Sequence, residues 1–259
     1  MNERIFSLDG VDNFRDFGGY ATAAGRRIRP GRLYRSAHHG QATDADLAAI
    51  AALNIAVIVD LRRGEERERT PSRRHEGFAA QVIENDGNEA ASDPFVEFIR
   101  TSDASEGAFR GYMLDYYRNA PFDERHLDLF SRYFRALGEA DGAVLIHCTA
   151  GKDRTGLLAA LTHHVAGVHR DDIFEDYLLT NKVASFERRL PAVAKMIVEV
   201  SGHTPTEAAA RVAVSVETAY LATAFSVIEA RHGSLDAYIE QALGVDAGLR
   251  GQVEERLVG

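Results

Sequence analysis

The chain's one cysteine stands in the run His147, Cys148, Thr149, Ala150, Gly151, Lys152, Asp153, Arg154, Thr155, Gly156, and these residue types at this spacing suit nucleophilic chemistry on a phosphate ester. A loop that ends a strand and opens a helix aims backbone N–H groups and the positive end of a helix dipole at one point, which makes it an anion site before any side chain is considered. Thr149, Ala150, Gly151 and Lys152 supply that cradle, and Arg154, six residues past Cys148, can fold back to clamp two phosphoryl oxygens at once. A free cysteine has a pKa of about 8.5, and such a setting lowers it to roughly 3.5–7.5, so a thiolate nucleophile is expected. Thr155 is expected to donate its hydroxyl to the sulfur and steady it as a leaving group. His147 is expected to shape the loop through its ring nitrogens. The loop is not a nucleotide-binding Walker loop, because Lys152 is followed by Asp153 and the glycine needed upstream is His147.

The flanks supply the elements. Ala143 to Ile146 is a short apolar run suited to a buried parallel strand, while Leu157, Leu158, Leu161 and Val165 recur at helical spacing. Upstream, Thr43 with Asp46 reads as a helix cap before Leu47, Ile50 and Leu53, and residues 55–61 follow as a buried strand. A further strand is expected at 81–84 and a helix at 123–137, with Leu127, Phe130, Phe134 and Leu137 facing a core. The fold class is therefore α/β: a mostly parallel central sheet flanked by helices, with its active loop at the carboxyl end of a strand. Residues 168–259 read as a helical C-terminal part, punctuated by Asp171 as a cap, Pro191 as a break or kink, Gly233-Ser234 as stop and start, and Gly244 as a stop. Residues 85–119 admit two readings: a mobile lid, or a helical insertion whose Phe109, Tyr112, Tyr116 and Tyr117 complete the core. We expect one domain over 1–259.

Composition narrows the function classes. A chain of 259 residues with 45% hydrophobic residues can bury a substantial core, and a formal charge of -9 argues against nucleic acid as the main partner. A single cysteine excludes an internal disulfide framework and suits a reducing cytoplasm, the expected location. The first ten residues lack an apolar signal core, and no stretch is long enough for stable membrane insertion; export without a signal peptide stays open, as does the oligomeric state. No metal or other cofactor is expected.

The loop, together with Asn13 to Tyr20, Leu33 to Ser36, Asp60 to Arg62 and Asp176 to Asn181, resembles in content and order the atypical bacterial tyrosine and lipid phosphatases of the protein tyrosine phosphatase superfamily. The resemblance implies a protein tyrosine phosphatase-like fold and a cysteine-dependent phosphomonoesterase acting on a phosphoprotein or phosphoinositide, with inorganic phosphate as product. Phosphotyrosine, phosphoserine or phosphothreonine, and phosphoinositide are all open as substrates. The chain has no tryptophan, so the Trp-Pro-Asp loop of many tyrosine phosphatases is absent. The resemblance points to Asp153 as the general acid instead. The alternative is that Asp153 pairs with an arginine to hold the loop, with Asp86, Asp93, Asp103 and Asp115 as outside candidates. The family's lipid activity suggests that Lys152, at the rim, holds a second phosphate of an inositol headgroup; the alternative is a solvated lysine that only steers anions. Asp60 and Arg62 are expected to support the substrate pocket. The arginines at 62, 63, 67, 69, 73 and 74 are interleaved with Glu65, Glu66 and Glu68 and read as a self-paired exposed segment. Two other classes fit less well: a phosphate-binding pseudoenzyme, against which the complete loop argues, and a sulfur or arsenate enzyme. An arsenate reductase needs further cysteines.

Overall fold

The computed structural model describes residues 4–85, 93–183 and 185–259. Its elements in chain order are β1 (Arg15–Asp16), β2 (Leu33–Ser36), α1 (Asp44–Ala51), β3 (Ile55–Asp60), α2 (Gly64–Arg69), β4 (Gln81–Ile83), α3 (Pro94–Thr101), α4 (Glu106–Asn119) and α5 (Glu124–Glu139). They continue with β5 (Ala143–His147), α6 (Asp153–Val165), α7 (Arg170–Leu178), α8 (Ser185–Ser201), α9 (Glu207–Val214), α10 (Thr218–His232), α11 (Leu235–Gln241) and α12 (Ala247–Leu257). The sheet runs β1-β2-β5-β3-β4; β2, β5, β3 and β4 are parallel, and β1 pairs antiparallel at the edge.

Strand β5 is buried along its whole length because both sheet faces are covered. Its side chains alternate as a pleat requires. Val144 and Ile146 join the larger apolar cluster with α5, α6, α10 and α12, whereas Ala143 and Leu145 join a smaller one with Val11, Phe14, Leu47 and Ile50 against α1. Strand β3 repeats this, with Val57 and Val59 on one side and Ile58 on the other. The Thr43–Asp46 capping box starts α1 as expected.

The C-terminal part departs from expectation at Asp171, and of the break or kink expected at Pro191 the break is absent. Asp171 is not a cap: α7 is entered through His169, and Asp171 lies in the first turn, where its charge complements the helix dipole. Pro191 does not break the chain but sits inside α8. The lost backbone donor is tolerated because Val193, Met196, Ile197 and Val200 of α8 pack with Ile99, Phe109 and Val212 in a third apolar cluster linking α3, α4, α8 and α9. Gly233 (φ 85°) and the Ser234 cap separate α10 from α11 as read. Within 85–119, residues 86–92, and with them Asp86, lie outside the described residues. The aromatics of α4 point inward, with Phe109 and Tyr117 fully buried. Among the described residues no single helix is long and apolar enough to cross a membrane.

Candidate active site

The loop after β5 ends on α6, so Cys148 stands between the carboxyl end of a central strand and a helix N-terminus. Gly151 makes the turn possible. Its φ is +66°, and a Cβ there would lie 2.5–2.6 Å from the backbone of Ser36 and Ala37. No other residue fits without moving β2. The Gly151 carbonyl is held from below by Asn13 Nδ2 at 2.8 Å and Arg35 Nη2 at 3.1 Å. Arg35 and Arg15 are in turn tied by Asp176, at 2.7 and 3.3 Å, in a triad with no solvent exposure at either arginine. Burial raises the Asp176 carboxyl, but the charges of Arg15 and Arg35 outweigh it and hold the group well below the usual range. Three of the separate sequence blocks that carried the family resemblance, Asn13 to Tyr20, Leu33 to Ser36 and Asp176 to Asn181, thus meet under one loop. Losing one member of such a buried triad leaves uncompensated charge, at a cost of about 3–5 kcal/mol.

Arg154 is positioned by a residue that sequence reasoning missed. Its Nη1 and Nη2 donate to Glu66 Oε2 and Oε1 at 2.5 and 2.8 Å, and Nη1 also reaches the Leu61 carbonyl at 3.1 Å. Glu66 accepts further from the Thr149 hydroxyl and from the Arg63 N–H. Burial raises its carboxyl, yet the Arg154 charge and these hydrogen bonds bring it well below the carboxylate range. The outer edge of the guanidinium is occupied, and Nε remains without a bond to any described residue. Glu66 belongs to the segment expected to be exposed and self-paired. Instead Arg62 pairs with Asp60, Glu66 with Arg154, and Arg67 with Glu84 at 3.5 Å. The available signal was positional: a glutamate in the first turn of a helix that begins at the carboxyl end of β3.

Other expected site residues fall as follows. Asp60 and Arg62 are 2% and 1% exposed; Arg62 Nε and Nη2 donate to the two Asp60 oxygens at 2.9 and 2.7 Å, and its remaining donors reach Thr70 and Ser72. These bonds tie the end of β3 to the segment at Thr70 and Ser72. His147 is fully buried, and neither ring nitrogen makes a hydrogen bond. It acts through packing, stacked on His39 with ring centroids 5.1 Å apart, and burial lowers its pKa to about 4 against the opposing charge of Asp60. Thr155 Oγ1 is buried beside the loop with no hydrogen-bond partner among the described residues, so the expected bond to sulfur is not formed.

Asp153 opens α6 and does not pair with an arginine. Its Oδ1 accepts from the Tyr117 hydroxyl at 3.2 Å, which itself accepts from Tyr177 at 2.9 Å, and its Oδ2 lies 3.6 Å from Lys152 Nζ. Lys152 is not at the rim. It is 6% exposed, and Nζ donates to the Ala213 and Ser215 carbonyls at 2.8 and 3.2 Å, satisfying the end of α9. Burial brings its pKa down. Asp93 and Ser105 cap α3 and α4, and Asp103 and Asp115 engage Ser105 and Arg118. Cys148 is 2% exposed at the foot of this arrangement. No group of acidic, histidine or cysteine residues able to hold a metal occurs among the described residues.

Similar sequences extend over nearly the whole chain. Triple specificity protein phosphatase PtpB of Mycobacterium tuberculosis is 32% identical over 282 residues, covering 98% of each chain. A Cupriavidus necator chain, H16_A0669, whose name as a tyrosine-protein phosphatase is itself provisional, is 36% identical over 250 residues, 95% of this chain and 86% of that one. Among solved structures, Pseudomonas aeruginosa TpbA matches with 19% identity and a TM-score of 0.31 over 62% of this chain and 78% of that one, too distant to carry an argument. The sequence profile of the tyrosine phosphatase family matches residues 6–259, and on that extent the chain belongs to the tyrosine phosphatase family.

Proposed function

We propose that this phosphatase hydrolyses phosphate monoesters of phosphotyrosine, and also those of phosphoserine or phosphothreonine and of phosphoinositides, through a cysteinyl-phosphate intermediate. The observation that carries the reading is Arg154 held by Glu66 beside Cys148, with Nε left for phosphate. The breadth of substrate follows the name of the M. tuberculosis relative and the resemblance to lipid phosphatases.

In the first step Cys148 sulfur bonds to phosphorus while the ester P–O bond breaks, and Asp153 gives its proton to the departing oxygen. Loop N–H groups and Arg154 carry the charge on the equatorial oxygens, whose geometry changes most in the transition state. In the second step a water oxygen bonds to phosphorus, its proton passes to the Asp153 carboxylate, and the S–P bond breaks to return the thiolate. The Thr155 hydroxyl, buried with no partner, is available to donate to that sulfur. A reducing cytoplasm suits an enzyme that depends on one free cysteine.

Acid quenching during turnover of an aryl phosphate tests the covalent step, with mass spectrometry of the Cys148 peptide. Phosphate on Cys148 in the wild type, and loss of turnover in Cys148→Ser with vanadate binding retained, are expected. Turnover by Cys148→Ser would refute the mechanism. A panel of phosphotyrosine and phosphoserine peptides and phosphoinositides tests the substrate range, and release from peptides alone would remove the lipids.

A further inference from the structure

Two buried hydroxyls point in series at the carboxylate that opens α6. Tyr177 of α7 donates to the Tyr117 hydroxyl of α4 at 2.9 Å, and Tyr117 donates to Asp153 Oδ1 at 3.2 Å. The tyrosines are 1% and 0% exposed, whereas the Asp153 side chain keeps 19%. Phenylalanine fills the same core at 130, 134 and 225 with no hydroxyl to desolvate, so two adjacent phenols are an expensive choice unless their hydroxyls are used. Elsewhere buried phenols end on structural partners: Tyr133 on Thr162 Oγ1, and Tyr238 on the Pro121 carbonyl. Tyr177 and Tyr117 end instead on a carboxylate of the loop that carries Cys148.

The packing holds both rings in place. A Cβ at Gly156 would lie 3.0 Å from Cδ2 and Cε2 of Tyr177, so only glycine lets that ring rest on the first turn of α6, one turn along from Asp153. The preceding residue, Asp176, is tied to Arg15 and Arg35, which fixes this end of α7 to the site. Tyr117 is stacked on Tyr220 of α10, with ring centroids 5.8 Å apart and planes 27° apart. Burial pushes both phenols well above their usual value of 10, so both remain protonated donors.

We propose that Tyr117 and Tyr177 are positioning residues for proton transfer by Asp153: they keep Oδ1 as an acceptor, leave Oδ2 to carry the proton, and steady the carboxylate that forms as that proton departs. This rests on Asp153 as the general acid of the proposed function. In the resting site the bond from Tyr117 is longer than the ordinary O–H···O bond of about 2.8 Å, and it tightens as charge grows on Asp153. Donation from Tyr177 polarises the Tyr117 hydroxyl and makes it a stronger donor. The help therefore comes in the transition state, and only where the leaving oxygen needs a proton. Both phenolic protons stay on their oxygens. The one proton moved passes from Oδ2 to the leaving oxygen and is replaced from water in the second step.

The relay is tested by kcat/KM over a series of phosphate monoesters from activated aryl to alkyl, with melting curves to confirm folding, because this constant covers the step that expels the leaving group. Tyr117→Phe should lose about tenfold on the alkyl phosphate, the worth of one hydrogen bond to a developing charge, and far less on the activated aryl phosphate. Tyr177→Phe should show the same pattern at about threefold. Damage to the fold would lower the whole series alike. In an Asp153→Asn background neither substitution should cost anything further. Equal losses across the series in Tyr117→Phe, or the same losses repeated in the Asp153→Asn background, would overturn the relay, and a leaving-group contrast in Asp153→Asn alone would then keep Asp153 as the acid. Wild-type activity of Tyr177→Phe on the alkyl phosphate would also overturn it. Equal losses across the series in Asp153→Asn itself would remove the general acid and the relay with it.

Discussion

Replacing Glu66 by glutamine tests the architecture of the clamp most directly. The change keeps the size of the side chain and one acceptor oxygen, but removes the charge facing Arg154. The two side chains are 9% and 17% exposed and joined by hydrogen bonds of 2.5 and 2.8 Å. Breaking a fully buried pair costs about 3–5 kcal/mol; the residual solvent access and the retained acceptor bring the expected loss to about 2 kcal/mol. If Glu66 aims the guanidinium, that loss falls on the transition state, and at about 1.36 kcal/mol per decade kcat drops about 30-fold. KM should change little, because the loop N–H groups still hold the ground-state phosphate. Steady-state kinetics on an aryl phosphate, with a melting curve to confirm folding, reads both constants. If Glu66 instead competes with substrate for Arg154, freeing the arginine lowers KM and leaves kcat intact. A kcat/KM equal to or above that of the wild type would refute the positioning role.

Asp153→Asn should reduce turnover of alkyl phosphates by on the order of 10²–10⁴-fold and that of an activated aryl phosphate far less, since the latter leaves without a proton; equal losses would assign Asp153 to holding the loop through Tyr117. Gly151→Ala should cost about 3 kcal/mol or more in stability and nearly all activity, from its left-handed backbone and the overlap with Ser36 and Ala37; a crystal structure or melting curve unchanged from the wild type would contradict the close approach. Acid should destabilise the fold in two stages. His147 is held at about 4 against a normal 6.5, so the unfolded chain takes up its proton first, and between pH 7.5 and 4.5 this residue alone removes about 2.5 kcal/mol of stability. Asp60, Glu66 and Asp176 have folded values below their unfolded ones, so their stabilisation is present above about pH 5 and is lost as pH falls further. Urea unfolding at both pH values reads the first stage, and equal stabilities would show that His147 is not buried neutral.

The candidate site was legible in the sequence because it is local. Cys148, the Gly151 turn and Arg154 lie within seven residues, and a strand, a tight loop and a helix in that order suffice to gather them in one place. The alternation of β3 and β5 and the Thr43–Asp46 cap were legible for the same reason, since neighbours along the chain set them. What the tertiary structure alone decided is how the charges pair. Arg62 and Glu66 stand in one run of mixed charge, yet one is bound by Asp60 and the other binds Arg154 from 88 residues away. Lys152 looked like a rim cation and instead completes the end of α9. An arginine or carboxylate can satisfy itself with any opposite charge it meets, and burial, which sets the strength of the pair, exists only once distant elements have packed together.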